Sequence, residues 1–293
     1  MKLIRNLIMA SLALFILYSC NPQKKESEKD KITFRLEEQW ATDTLLKTPE
    51  SVLFDMDRDV IYVSNVNMNP WEKDGNGFIS KISPSGEILD LEWVTGFNGP
   101  KGMALIDSIL FVADLDELVL IDATLGEVIH RKLVDGASGM NDISKDVSGT
   151  LYISDSNEDK IYTYKDDSVT VFMAGLPSRP NGQLVVGDHL KVAFSGASQF
   201  ADIEIATKTL NILADSIGHG DGITPTNDPG NFLVSDWMGE IFIIGDSIGT
   251  QSLLDTKAEE KNTADIWFIE SQSLVLVPTF FDNRVVAYKL IKE

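Results

Sequence analysis

Six polar residues recur in one local setting along this chain, each preceded by a small or turn-compatible residue and followed by an apolar run. They lie in Pro49-Glu50-Ser51-Val52, Pro100-Lys101-Gly102-Met103, Met140-Asn141-Asp142-Ile143, Pro180-Asn181-Gly182-Gln183, Gly220-Asp221-Gly222-Ile223 and Ala264-Asp265-Ile266-Trp267. From Glu50 to Asp265 they stand 51, 40, 40, 40 and 44 positions apart. Glu50, Asn141, Asn181 and Asp221 are hard oxygen donors. Calcium takes about six to eight oxygen ligands, so four protein oxygens leave roughly two to four places for water or substrate. Glu50 and Asp221 together balance the charge of a divalent ion. The set contains no His or Cys, which disfavours a zinc site of the usual kind. Lys101 and Asp265 stand outside the four. A cation there either stabilises an oxyanion or pairs with Asp265 across a shared channel, and pairing is the expectation.

Such residues converge only if the chain brings equivalent points of a repeat together. From residue 32 onward short β-rich runs alternate with Gly, Asp, Asn and Ser turns, and no amphipathic helix of convincing length is present. A second strand follows each polar residue, as in Ile61-Tyr62-Val63-Ser64-Asn65 and Leu151-Tyr152-Ile153-Ser154-Asp155. A third is readable in every repeat except the fourth. A period near forty with about four strands is the size of a propeller blade. The expected fold is therefore all-β, a six-bladed β-propeller over residues 32–293. The chain ends after the third strand of its sixth repeat, so Thr33 to Thr42 must supply the missing strand and close the ring. Asn67 to Asn76 reads as a loop inserted in blade 1. Asp114, Asp155 and Asp236, at the ends of second strands, read as turn residues bonding the backbone. Trp93 and Trp267 read as core between blades, whereas Trp71 and Trp237-Met238 are placed to line a channel entrance and select substrate.

Lys2 and Arg5 precede an apolar run from Leu7 to Tyr18, too short for a comfortable membrane span but suited to a signal peptide. Leu17-Tyr18-Ser19-Cys20 resembles a bacterial lipobox, with Tyr18 unusual in it, and Cys20 is the only cysteine of the chain. The sequence thus divides into a lipoprotein signal over 1–19, a polar tether over 20–31 after lipidated Cys20, and the propeller. This puts the protein in the bacterial cell envelope, periplasmic or outer-membrane associated, touching membrane only through its anchor. The formal charge of −20 repels nucleic acid phosphates and sets that partner aside. A monomer is expected.

The order Glu50, Asn141, Asn181, Asp221 over blades one, three, four and five resembles the SMP-30/gluconolactonase family, six-bladed propellers related to the paraoxonase-like phosphotriesterases. The resemblance spans about residues 32 to 293. It implies a divalent metal, most often calcium, on those four residues, and hydrolysis of a small lactone or ester. Asp221 would be ligand and general base, and Asn141 would bind substrate while completing the metal shell, with Lys101 and Trp237 as further substrate contacts. Ser138-Gly139-Met140 lacks the basic residue that many sugar-lactone hydrolases carry before this Asn, which argues against sugar acids. His219 is expected as a surface or hydrogen-bonding loop residue, the alternative being a base at the channel mouth. No nucleophilic Ser with matching His and acid stands out, and no glycine-rich phosphate loop does either. The rival reading is a non-catalytic propeller lipoprotein of NHL-like character that binds a protein or glycan, with any calcium purely structural.

Overall fold

A computed structural model describes residues 32–293, and the expected signal segment, tether and lipidated Cys20 lie outside the described residues. The described chain forms six four-stranded antiparallel sheets. Five are built from consecutive strands, and the sixth borrows its outer strand from the start of the domain. The inner strands are Pro49–Asp55, Pro100–Ile106, Met140–Lys145, Pro180–Val186, Gly220–Pro225 and the shorter Trp267–Ile269. Helical structure is confined to three single 3₁₀ turns among the described residues.

Strand composition explains the stacking. Second strands such as Val60–Asn65 and Leu151–Asp155 are buried almost throughout, while outer strands such as Glu127–Leu133 and Thr209–Asp215 alternate between half-buried and exposed. A sheet covered on both faces near the axis and wet at its rim is stable only between two neighbours. The apolar side chains accordingly gather into one cluster per junction. Leu53, Tyr62 and Ile79 of blade 1 meet Met103, Leu110 and Val112 of blade 2. Val52, Ile61 and Val63 on the other face meet Leu274, Leu276 and Val285 of blade 6. Trp267 touches both of these clusters, and Trp93 stacks 5.2 Å from the Tyr62 ring, so both tryptophans pack as expected.

Blade 6 closes the ring as the repeat requires. Phe34–Ala41 pairs antiparallel with Val285–Lys292, from Phe34 opposite Lys292 to Ala41 opposite Val286. The fourth blade does contain a third strand, Gln199–Glu204. It escapes recognition because Asp202 sits in its middle, where the carboxylate is consumed by His189 Nδ1 and Lys191 Nζ, each 2.8 Å away.

Candidate functional site

Five of the six inner strands begin one residue before the recurring polar position. In each, the register with the second strand shifts at that point: between Pro49 and Ser51, Pro100 and Met103, Met140 and Ile143, Pro180 and Gln183, and Gly220 and Ile223. Glu50, Lys101, Asn141, Asn181 and Asp221 therefore all sit in bulges, which re-aim a side chain out of the ladder. The bulge leaves a backbone N–H to satisfy, and three second strands supply a serine for it. Ser64 Oγ accepts from Ser51 N at 2.9 Å, Ser154 Oγ from Asp142 N at 2.9 Å, and Ser235 Oγ from Gly222 N at 2.7 Å. The next residue along holds the segment leading into the inner strand. Asp114 accepts from Asn98 N and Gly99 N, Asp155 from Ser138 N, and Asp236 from His219 N. These aspartates are backbone acceptors, as the sequence suggested.

The five bulge residues line a single cleft of about 360 Å³ at one end of the channel. Each is 8% exposed or less. Glu50 Oε2, Asn181 Oδ1 and Asp221 Oδ1 are buried there with no hydrogen-bond partner. An unpaired buried acceptor costs about 1–3 kcal/mol, and three in one cleft mark a place built for a ligand. Asn141 is oriented differently. Ser156 Oγ donates to Pro180 O at 2.7 Å and so must accept from Asn141 Nδ2 at 3.2 Å, which leaves the Asn141 amide oxygen as the uncommitted atom. Among the described residues no three His, Cys, Asp or Glu side chains gather as a ligand cluster. The present set relies on two amides besides its two carboxylates. Its four uncommitted oxygens suit a hard divalent cation such as calcium.

Electrostatics point the same way. Burial pushes the Glu50 carboxyl up to about 7, opposed by Lys101 and reinforced by Asp142. Burial, with the like charge of Glu50, holds Asp221 well above the ordinary carboxyl range. Burial lowers the Lys101 ammonium, while Glu50 and Asp221 raise it. Lys101 thus answers the charges of Glu50 and Asp221, and its expected pairing with Asp265 does not form. Asp265 is committed elsewhere: its Oδ2 accepts from Ser51 Oγ at 2.5 Å, and its backbone N donates to Glu50 O at 2.9 Å. In blade 6 the inner strand begins only at Trp267, and Asp265 makes an isolated bridge to Ser51, so Asp265 does not line the cleft.

The rim is aromatic. Trp71, from the blade 1 insertion, and Trp237 with Met238 line the mouth as anticipated. Phe280 and Phe281 join them from the turn after Pro278, both edge-on to Trp237 at 5.7 and 5.9 Å, and the sequence reading missed them. Arg179 was also missed. His219 is exposed, and it too stands on the cleft wall. Arg179 and His219 share one signal: each lies two residues before its bulge residue, where blades 2 and 3 carry Gly99 and Gly139.

Fold and cleft together define a six-bladed β-propeller with a polar, bulge-built site at its axis. Solved structures similar to it include virginiamycin B lyase of Staphylococcus aureus, in a catalytically inactive form with quinupristin, at 11% identity and a TM-score of 0.61, covering 89% of this chain and 100% of that one. A streptogramin B lyase matches at 15% identity and a TM-score of 0.62 over 88% of this chain and 98% of that one. A chain of a nidogen/laminin complex matches at 19% and 0.61, over 75% and 84%. Identities this low establish the fold alone. No family model matches the chain, and no curated protein matches it.

Proposed function

We propose that the protein is a divalent-metal-dependent hydrolase of the SMP-30/gluconolactonase type, opening a small lactone or ester at the channel mouth. The observation that carries this reading is the convergence of three orphaned buried oxygens, on Glu50, Asn181 and Asp221, in one cleft. With the free amide oxygen of Asn141 they would hold the ion, most plausibly calcium. Such an ion, when bound, would supply Lewis acidity toward a carbonyl oxygen of the substrate. The other oxygen of the Asp221 carboxylate would take the proton of the attacking water. The same proton goes to the leaving oxygen as the acyl C–O bond breaks. Lys101 Nζ, buried beside Glu50 and Asp221, donates toward negative charge formed on the substrate. Trp237 and its phenylalanine neighbours exclude water and seat the apolar part of the substrate. A virginiamycin B lyase and a chain of a nidogen/laminin complex both stand among similar folds, so the site and not the fold bears the argument. The expected anchor at Cys20 would place this activity in the cell envelope.

Elemental analysis of calcium-loaded protein tests the reading. The native chain should hold about one divalent ion in this cleft, with most of that binding lost in Glu50→Gln and in Asp221→Asn. A panel of lactones and aryl esters should turn over with calcium and stop on chelation. A native protein that holds no divalent ion after loading sinks the hydrolase. Metal without turnover on the panel reduces the ion to a structural role.

A further inference from the structure

The cleft is unusual for this chain in its charge. The protein carries −20 overall, yet the cleft lining holds Lys101 and Arg179 against Glu50 and Asp221, and so is formally neutral before any ion enters. A divalent cation on the carboxylates makes it positive. Lys101 lies 4.7 Å from the centre of the Trp71 ring, feels the charges of Glu50 and Asp221, and is buried. Arg179 is not. Its guanidinium makes no hydrogen bond or ion pair among the described residues; it lies 5.6 Å from the centre of the same Trp71 ring and close enough to Lys101 to lower that ammonium. Asp159 Oδ1 accepts from the Arg179 backbone N–H at 2.7 Å and not from its guanidinium.

The local backbone explains where Arg179 stands. It has φ +59°, a left-handed conformation that Thr48, at the equivalent position two residues before Glu50, adopts at +46°. Blade 4 also lacks the second-strand aspartate that anchors the corresponding segment in blades 2, 3 and 5; Phe194 stands there instead. The segment leading to Asn181 is thus tied back through Asp159, and a long cationic side chain stands at the mouth where two other blades have glycine. Trp71, Trp237, Phe280 and Phe281 offer flat apolar surface in the same cleft.

We propose that Arg179 is a specificity residue that receives a carboxylate on the substrate, so that the natural ligand is an amphipathic acid: a flat, apolar lactone or ester bearing one anionic group remote from the reacting carbonyl. Planar guanidinium matches carboxylate in a bidentate fork. The aromatic wall takes the body of the molecule, and the acid end lies at the rim of blade 4. This identifies the substrate class of the proposed hydrolase and rests on that reading for the word substrate, though the binding it asserts stands apart from turnover.

Calorimetry on the full, calcium-loaded chain with two matched, unreactive probes, 2-naphthaleneacetate and 2-naphthaleneacetamide, tests it. The native protein should prefer the acid by about tenfold or more, the scale of a hydrogen bond to a charged group. Arg179→Asn, chosen because asparagine tolerates left-handed φ, should erase that preference and leave the amide within about twofold. Arg179→Lys should keep part of it. Equal binding of the two probes, or no binding of either, overturns the proposal. So does a preference that survives Arg179→Asn, because the carboxylate would then be held by the calcium ion. A preference that behaves as stated, with no turnover on any lactone or ester, leaves the binding assignment standing and removes only the hydrolase.

Discussion

Glu50 shows how a single residue couples the site to the stability of the domain. Burial pushes its carboxyl up to about 7 from an ordinary value of 4.5. Between those two values the unfolded chain has released its proton while the folded chain still holds it. Stability must therefore fall as pH rises across that window, because the ionised form is the one the fold disfavours. Asp142, pushed up by burial to about 6, contributes in the same direction. For metal-stripped protein the melting temperature should thus be highest near pH 4.5 and decline toward pH 7, as far as these groups govern it. Glu50→Gln, which cannot ionise, should show a shallower decline. Calcium should reverse the trend, since the ion binds the deprotonated carboxylates and its affinity grows as they ionise. Melting curves of native and Glu50→Gln protein, with and without calcium, decide the point. Parallel slopes in the two stripped proteins would remove Glu50 from the account.

At the scale of the strand, the site is made by a bulge in five blades that turns one polar side chain inward, joined in blades 1, 3 and 5 by a serine that satisfies the bulged N–H and an acidic or amide residue that ties down the approach. The repeat of forty made the first part legible for Lys101, Asn141, Asn181 and Asp221, and the loop inserted in blade 1 accounts for the 51 residues from Glu50 to Lys101. Asp265 was assigned to the ring, but the interval alone could not show its departure; the inner strand of blade 6 begins only at Trp267, two residues beyond it. Phe280 and Phe281 lie outside the repeat altogether, in a 3₁₀ turn that no other blade has, so periodicity has no purchase on them. Arg179 was within reach by comparing the residue two before each bulge. The inner strands also require close approach. A Cβ at Gly182 would strike the Asp221 carbonyl oxygen, and one at Gly222 would strike Ile266 N, both backbone atoms that cannot step aside. Gly182→Ala should therefore cost about 3 kcal/mol, a fall in melting temperature on the order of 10 °C. It should also weaken calcium binding, because Asn181 and Asp221 flank the strained contact. A variant that melts with the native protein and keeps its calcium would show that the strands part more easily than this packing implies.

Across the whole molecule, the ring is the element that fixes the five bulges relative to one another, and its closure rests on one blade made from both ends of the domain. Glu293 N donates to Thr33 O at 2.8 Å, and Arg35 Nε bonds Glu293 Oε1 at 2.8 Å, so the two ends of the propeller already meet. Phe34 contributes to the apolar cluster between blades 5 and 6, and Trp40 packs against the one between blades 6 and 1. What holds the ring is thus the pairing of Phe34–Ala41 with Val285–Lys292, and nothing in that pairing depends on where the chain happens to be cut. Removing Phe34–Ala41 should expose an unpaired sheet edge together with both clusters, giving a protein that self-associates in light scattering and binds calcium poorly. A circular permutant that joins residues 293 and 32 through a short Gly/Ser linker should behave in the opposite way. Opened at Asp166 and Asp167, an exposed hairpin turn with both residues at positive φ, it keeps every strand and merely moves the split from blade 6 to blade 3. It should remain monomeric, melt within a few degrees of the native domain on the order of what one lost turn costs, and retain its calcium. A permutant that folds but loses calcium would mean that the site depends on this particular closure and not on the completed ring.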